Sequence, residues 1–282
     1  MAQSIDTAPQ RFPQAPSQEV WDRLSEAERR AVVNSLPNEV TDAEMSPPEG
    51  DAHFLAKVRA FDALDGFFRR KGRNVYLACE LPIYYPDAPR FAPDLLAVLD
   101  VDPHERMKWL VTAEGKGLDF VLEVHVGGDR RKDTETNVAR YASLGIPEYF
   151  IYDRAKQALH GYSLIAPGAR RYTRIVPQGG VLSSRILGLE LGIESDRLRF
   201  YTAMAPLPES PELVSRLQQM MLQVESRADD EARLRQEAEE RAAKAEERAA
   251  RAADEVATTK NEADRQVAEL RAELDRLRGK PH

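Results

Sequence analysis

The stretch DFVLEVHVGGDRRKDTETNVARYASLGIPEYFIYD, residues 119–153, decides the fold class. It opens on a nearly continuous apolar run, passes a Gly127–Gly128 turn, and continues as charged and small residues closed by Gly145. It ends on a second β-prone run, PEYFIYD. Short apolar runs bounded by glycine or proline read as strands buried on both faces, and the segment between them as a helix. Working outward, VYLACELPIYY (75–85) and PDLLAVLD (93–100) add strands before it, and ALHGYSLI (158–165) and RRYTRIV (170–176) add strands after it. Strands on both sides of a helix, several apolar on both faces, argue for a mixed sheet flanked by helices. The class is α/β or α+β.

Within these runs, FAPDLLA (91–97) and FVLEVHV (120–126) each carry one acid set among apolar residues, Asp94 in the first and Glu123 in the second. A carboxylate inside an apolar strand is costly unless something pairs with it. Set on one face of adjacent strands, the two repel unless protonated or bridged by a cation. Hard oxygen donors with room for water suit Mg²⁺ or Mn²⁺, and such an ion activates water and polarises phosphate. Beyond Glu123 stand His125, the two glycines, then Asp129, Arg130, Arg131 and Lys132. That order puts a flexible turn and a basic helix start beside the acids, where backbone N–H groups and cationic side chains can hold phosphate. On spacing alone the signal is weak, and either acid taken singly reads more readily as a buried carboxyl hydrogen-bonded to neighbouring backbone and arginine.

The remaining chain sets the organisation. Residues 1–17 are rich in Pro, Gln and Ala without periodicity, the composition of a mobile tail. Residues 18–37 read as one helix, with Val20, Trp21, Leu24, Ala27, Val32 and Val33 as its stripe and Pro37 as its stop. After the loop TDAEMSPPEGDAH, a helix over about 51–71 carries Phe54, Leu55, Val58, Phe61, Leu64 and Phe68 on one side. The globular domain is bounded at 38–205, with 206–212 as a Pro-rich linker. Residues 213–279 contain helix formers and charges with 3-4 spaced Leu, Met and Val at both ends, and mostly Ala between them. This predicts a weak coiled coil and a homo-oligomer; a single solvated helix is the alternative.

The net charge is −7, so DNA contact must rely on local basic patches, RRKGR (69–73) and RRK (130–132), or on a metal. One cysteine, Cys79, excludes a disulfide framework within the chain and is expected to be a buried, inert thiol. The N-terminal residues lack a secretory apolar core and no run of about 18 apolar residues occurs, so the expectation is a cytoplasmic protein without membrane contact.

PDLLAVLD, FVLEVHVGGDRRKD and NVARYASLGIPEYFIYD, in that order, resemble the Uma2-type restriction-endonuclease family of the PD-(D/E)xK nuclease-like superfamily. MSPPEGDAH (45–53) is similar to the segment before that family's first long helix, and the likeness spans about residues 40–195. The resemblance implies a restriction-endonuclease-like mixed sheet and a Mg²⁺- or Mn²⁺-dependent endonuclease hydrolysing DNA phosphodiester bonds. It makes Asp94 and Glu123 the metal ligands, His53 a recurrent family histidine, and Glu49 or Glu44 a further acid. It also marks a departure. The superfamily's lysine slot after the second acid is His125, and the slot on the following helix, four residues before Tyr141, is Asn137. His125 or Lys132 would have to substitute, with Arg130 and Arg131 as accessory cations. Two other readings stay open: a nuclease-like nucleic-acid-binding or regulatory module without catalysis, and an assembly protein acting through its C-terminal helix.

Overall fold

The structure, a computed structural model, describes residues 14–39, 50–127 and 131–278. It divides into two compact units, Met1–Leu213 and Val214–His282.

In the first unit, helices α1 (Gln18–Arg23), α2 (Glu26–Ser35) and α3 (Gly50–Lys71) precede strands β1 (Val75–Ala78), β2 (Ile83–Tyr84), β3 (Leu95–Leu99) and β4 (Trp109–Leu110). Then come α4 (Val111–Glu114), β5 (Phe120–His125), a π-helical turn (Lys132–Thr136), α5 (Asn137–Leu144), β6 (Glu148–Asp153), β7 (Ala158–Leu164) and β8 (Tyr172–Arg174). Four strands follow: β9 (Leu182–Ser184), β10 (Leu189–Glu194), β11 (Arg197–Thr202) and β12 (Ala205–Pro206). The last element is α6 (Ser210–Arg278).

The main sheet has six strands in the order β1-β3-β5-β6-β7-β8. Only β5 and β6 pair in parallel; their neighbours pair antiparallel, so the mixed α/β class is the observed one. Strand alternation sorts the core into two faces. Leu95, Ala97, Leu99, Phe120, Leu122, Val124, Phe150 and Tyr152 pack with α3 and with the four-stranded sheet β12-β11-β10-β9. Leu96, Val98, Val121, Tyr149 and Ile151 pack on the other side with Tyr141 of α5 and Trp109. That second sheet has no counterpart in the sequence reading.

The N-terminal helix divides in two. Ser25 accepts from the Glu28 N–H while the Glu28 carboxylate accepts from the Ser25 N–H, a capping box that starts a new helix directly after Leu24. Of the tail, residues 1–13 lie outside the described residues, and 14–17 are held: Gln14 and Ala15 bridge to Pro89 and Pro86, and Ala15 is buried. The face of α3 also differs from expectation. Phe54, Leu55 and Val58 are exposed, whereas His53, Lys57, Ala60, Ala63, Leu64, Phe67 and Phe68 are buried. The first two turns point polar residues inward, so an apolar stripe is the wrong guide there. The Pro-rich stretch is docked: Arg199 holds Glu209 at 2.8 Å and Glu212 at 3.1 Å, and the Ser210 N–H donates to Asp62 at 2.7 Å.

From Val214 onward, α6 is exposed along its length wherever side chains are described. Ion pairs four apart decorate it, among them Glu237–Arg241 at 3.4 Å and Glu247–Arg251 at 2.6 Å. Among the described residues no helix is long and apolar enough to cross a membrane.

Candidate active site

Asp94 immediately precedes β3 and Glu123 lies in β5. The register Leu95↔Leu122 sets them opposite one another at the next step. There the main-chain ladder gives way to side chains. The Val124 N–H donates to Asp94 Oδ2 at 2.8 Å, and the Asp94 N–H donates to Glu123 Oε2 at 3.2 Å. Each acid thus satisfies the other strand's backbone. Both are buried, and their further partners are His53 Nε2, 3.0 Å from Asp94 Oδ2, and the Tyr141 hydroxyl, which donates to Glu123 Oε1 at 2.7 Å.

The two carboxyls are driven apart electrostatically. Burial, then the charges of Asp94 and Asp133, push Glu123 well above the usual carboxylate range against the Tyr141 and Asp94 hydrogen bonds. Burial pushes Asp94 up too. The hydrogen bond and charge of His53, the Val124 amide and the Lys57 ammonium outweigh it and hold Asp94 below its ordinary value. Two carboxyls in one site divide this way, one ionised and one keeping its proton, unless a cation arrives. The same burial and the Glu123 charge raise the Tyr141 and Tyr149 phenols well above normal, so both stay protonated donors.

His125 follows two residues along the same face of β5, with its Nδ1 3.5 Å from Asp133 Oδ2. Asn137 Nδ2 donates to Asp133 Oδ1 at 3.3 Å, and the Tyr149 hydroxyl donates to the Asp133 carbonyl at 3.1 Å. The five-residue π turn widens the backbone before α5, and both Asp133 and Asn137 end up buried. Such turns recur at functional sites.

On the opposite flank, α3 contributes His53 and Lys57 one turn apart. Glu80 follows β1 in a left-handed conformation (φ 53°), with its N–H donating to the Pro93 carbonyl at 2.9 Å and its carboxylate paired with Lys57. The ligating atoms of His53, Glu80 and Asp94 all lie within 4.8 Å of one another. Asp94 therefore borders two donor sets, Glu123 on one side and His53 with Glu80 on the other. The donors fit a divalent cation: hard oxygens, one imidazole, and a buried Glu123 whose bonded partners, a phenol and an amide, carry no charge.

The structure thus brings Asp94, Glu123, His125 and Asn137 into one cluster and attaches His53 through Asp94. Arg131 and Lys132 are exposed at the start of the π turn. Glu44, Glu49 and Arg130 lie outside the described residues. Asp133, Lys57 and Glu80 escape the sequence reading. Asp133 sits in a charged run that resembles a solvated face, though its spacing of four from Asn137 is a helical one. Lys57 stands four residues after His53, the single local hint that both face one target. Cys79, expected to be buried, is exposed at the surface; its sulfur is still crowded enough that desolvation pushes the thiol to about 12, so it stays protonated.

The sequence profile of the Uma2 family, described as "Putative restriction endonuclease", matches residues 35–194, more than half of the chain. The chain belongs to the Uma2 family. Its match takes in Asp94, Glu123, His125 and Asn137 as well as His53 and Lys57. A crystal structure described as a putative nuclease belonging to DUF820 from Anabaena variabilis ATCC 29413 aligns over 51% of this chain and 78% of its own, with 11% identity and a TM-score of 0.40. None of the curated proteins matches the chain.

Proposed function

We propose that this Uma2 protein is an endonuclease that hydrolyses DNA phosphodiester bonds with a divalent ion, Mg²⁺ or Mn²⁺, held at Asp94 and Glu123. The observation that carries this reading is Glu123 itself. It is a buried carboxyl facing Asp94 and Asp133, bonded only to uncharged groups, and pushed well above its ordinary range. A site built for its own stability would have matched that acid with an arginine or replaced it.

When bound, the ion neutralises the acids, polarises the phosphodiester and makes a nucleophilic water available near neutral pH. The side chains around it divide the remaining work. His53 and the Val124 N–H fix the Asp94 carboxylate, and Tyr141 fixes that of Glu123. Asp133, itself held by Asn137, faces Nδ1 of His125, which sets the ring so that Nε2 receives a proton from the attacking water. The π turn that carries Asp133 also carries Lys132 and follows Arg131, cations placed for the flanking backbone of the nucleic acid.

The test is nicking of supercoiled plasmid in Mn²⁺ by wild type, Glu123→Ala and His125→Ala. Wild type is expected to nick, Glu123→Ala to fall to background, and His125→Ala to slow by about 100-fold or more. A wild type that leaves plasmid intact in both Mn²⁺ and Mg²⁺, or a Glu123→Ala variant as fast as wild type, contradicts the reading. Plasmid binding without cutting would instead favour the non-catalytic module.

A further inference from the structure

Four carboxylates, Asp94, Glu123, Asp133 and Glu80, surround the site, and a phosphodiester is itself an anion. One divalent ion leaves the cluster negative, so an incoming phosphate still meets repulsion. A site of this charge needs a fixed cation of its own, and α3 carries one. Lys57 is 6% exposed, far less than an ordinary lysine. It stands one helical turn after His53, which touches Asp94, and its ammonium pairs with Glu80, whose carboxylate lies within 4.8 Å of the ligating atoms of both Asp94 and His53. Glu80 is about half exposed, with 47% of its side chain accessible, and so forms the solvent side of that pair.

We propose that Lys57 is the site's phosphate-receiving cation, held ready by Glu80 until the substrate phosphate takes the carboxylate's place. The inference rests on the nuclease reading and adds to it a residue and a specific exchange. Glu80 suits the holding role because its exposed side can hydrate once the ammonium leaves, whereas Asp94, buried and bonded on both sides, cannot. The lysine stem is buried on α3, which aims the ammonium at the site. For the same reason a neutral substitution at 57 is tolerated by the fold: Glu80, left alone, turns to water.

The experiment compares wild type, Lys57→Met and the double variant Lys57→Met/Asn137→Lys, each checked for an unchanged melting temperature. Two readouts are taken: plasmid nicking in Mn²⁺ and Mn²⁺ affinity by calorimetry. Asn137 is buried and bonded to Asp133, one of the four carboxylates, so a lysine there returns a cation to the cluster at a second position. Lys57→Met is expected to lower nicking by about 100-fold while binding Mn²⁺ as tightly as wild type or more tightly, because a positive charge beside Asp94 is gone. The double variant is expected to recover about tenfold of the lost rate. A purely structural lysine would lose Mn²⁺ affinity and nicking together, and that result overturns the proposal. Nicking by Lys57→Met at the wild-type rate overturns it as well, leaving the nuclease reading intact. A wild type that binds Mn²⁺ but never nicks removes the nuclease reading and this proposal with it.

Discussion

Glu123 carries the conflict between folding and chemistry in this molecule. Because burial and the charges of Asp94 and Asp133 raise it, the folded chain holds its proton more tightly than the unfolded chain does. The stability it contributes is complete below the ordinary glutamate range and is lost as pH climbs through the raised value. Asp94 runs the other way: held below its ordinary value, it supports the fold at neutral pH and ceases to do so only in acid. The metal-free protein should therefore be less stable at an alkaline pH than at one within the ordinary glutamate range, with Glu123 as a source of the loss. Glu123→Gln keeps the shape and the Tyr141 contact without the charge. Urea denaturation in EDTA should find it about 1–2 kcal/mol more stable than wild type at the higher pH and little different at the lower. Equal stabilities at both values would mean that Glu123 is not the strained acid described here.

At the scale of elements, the central strands are legible because burial on both faces leaves an unmistakable apolar run, as in β3, β5 and β6. The acids of those runs are legible for the same reason, since a lone carboxyl among Val, Leu and Phe demands an explanation. Other features depend on distance in the fold. The α3 face is misread because His53 and Lys57 point inward toward a site assembled from β1, β3 and β5, and their spacing of four is the one local trace of that. Asp133 looks like one charge among many until the π turn moves it inward. The N-terminal helix breaks at Ser25, a break that the SEAE capping sequence does announce. The second sheet also left a trace: Leu189, Leu191 and Ile193 alternate with Glu190, Gly192 and Glu194 along β10, a period of two. Its short partner strands, three residues in β9 and two in β12, carry too few positions for a pattern to emerge.

Across the whole molecule, the two units pose different problems. The first buries its apolar residues on both sides of one sheet. The second leaves Leu217, Met220 and Val224 exposed near its start and Val267, Leu270 and Leu274 exposed near its end, at helical spacing. Covered by another copy, such a seam would gain apolar contact, and its Ala-rich middle would keep that association weak. Light scattering on the full chain should give a mass above the 31.8 kDa monomer that falls to the monomer value on dilution, and deletion of 214–282 should abolish the rise. A monomer at every concentration would make α6 a solvated helix. The proposed chemistry stands on the shared ion. Calorimetric titration of the full chain with MnCl₂ tests it most directly, using wild type, Asp94→Ala and Glu123→Ala. Saturable binding in wild type that disappears in both variants is predicted; no binding in wild type, or binding that survives both substitutions, would contradict it.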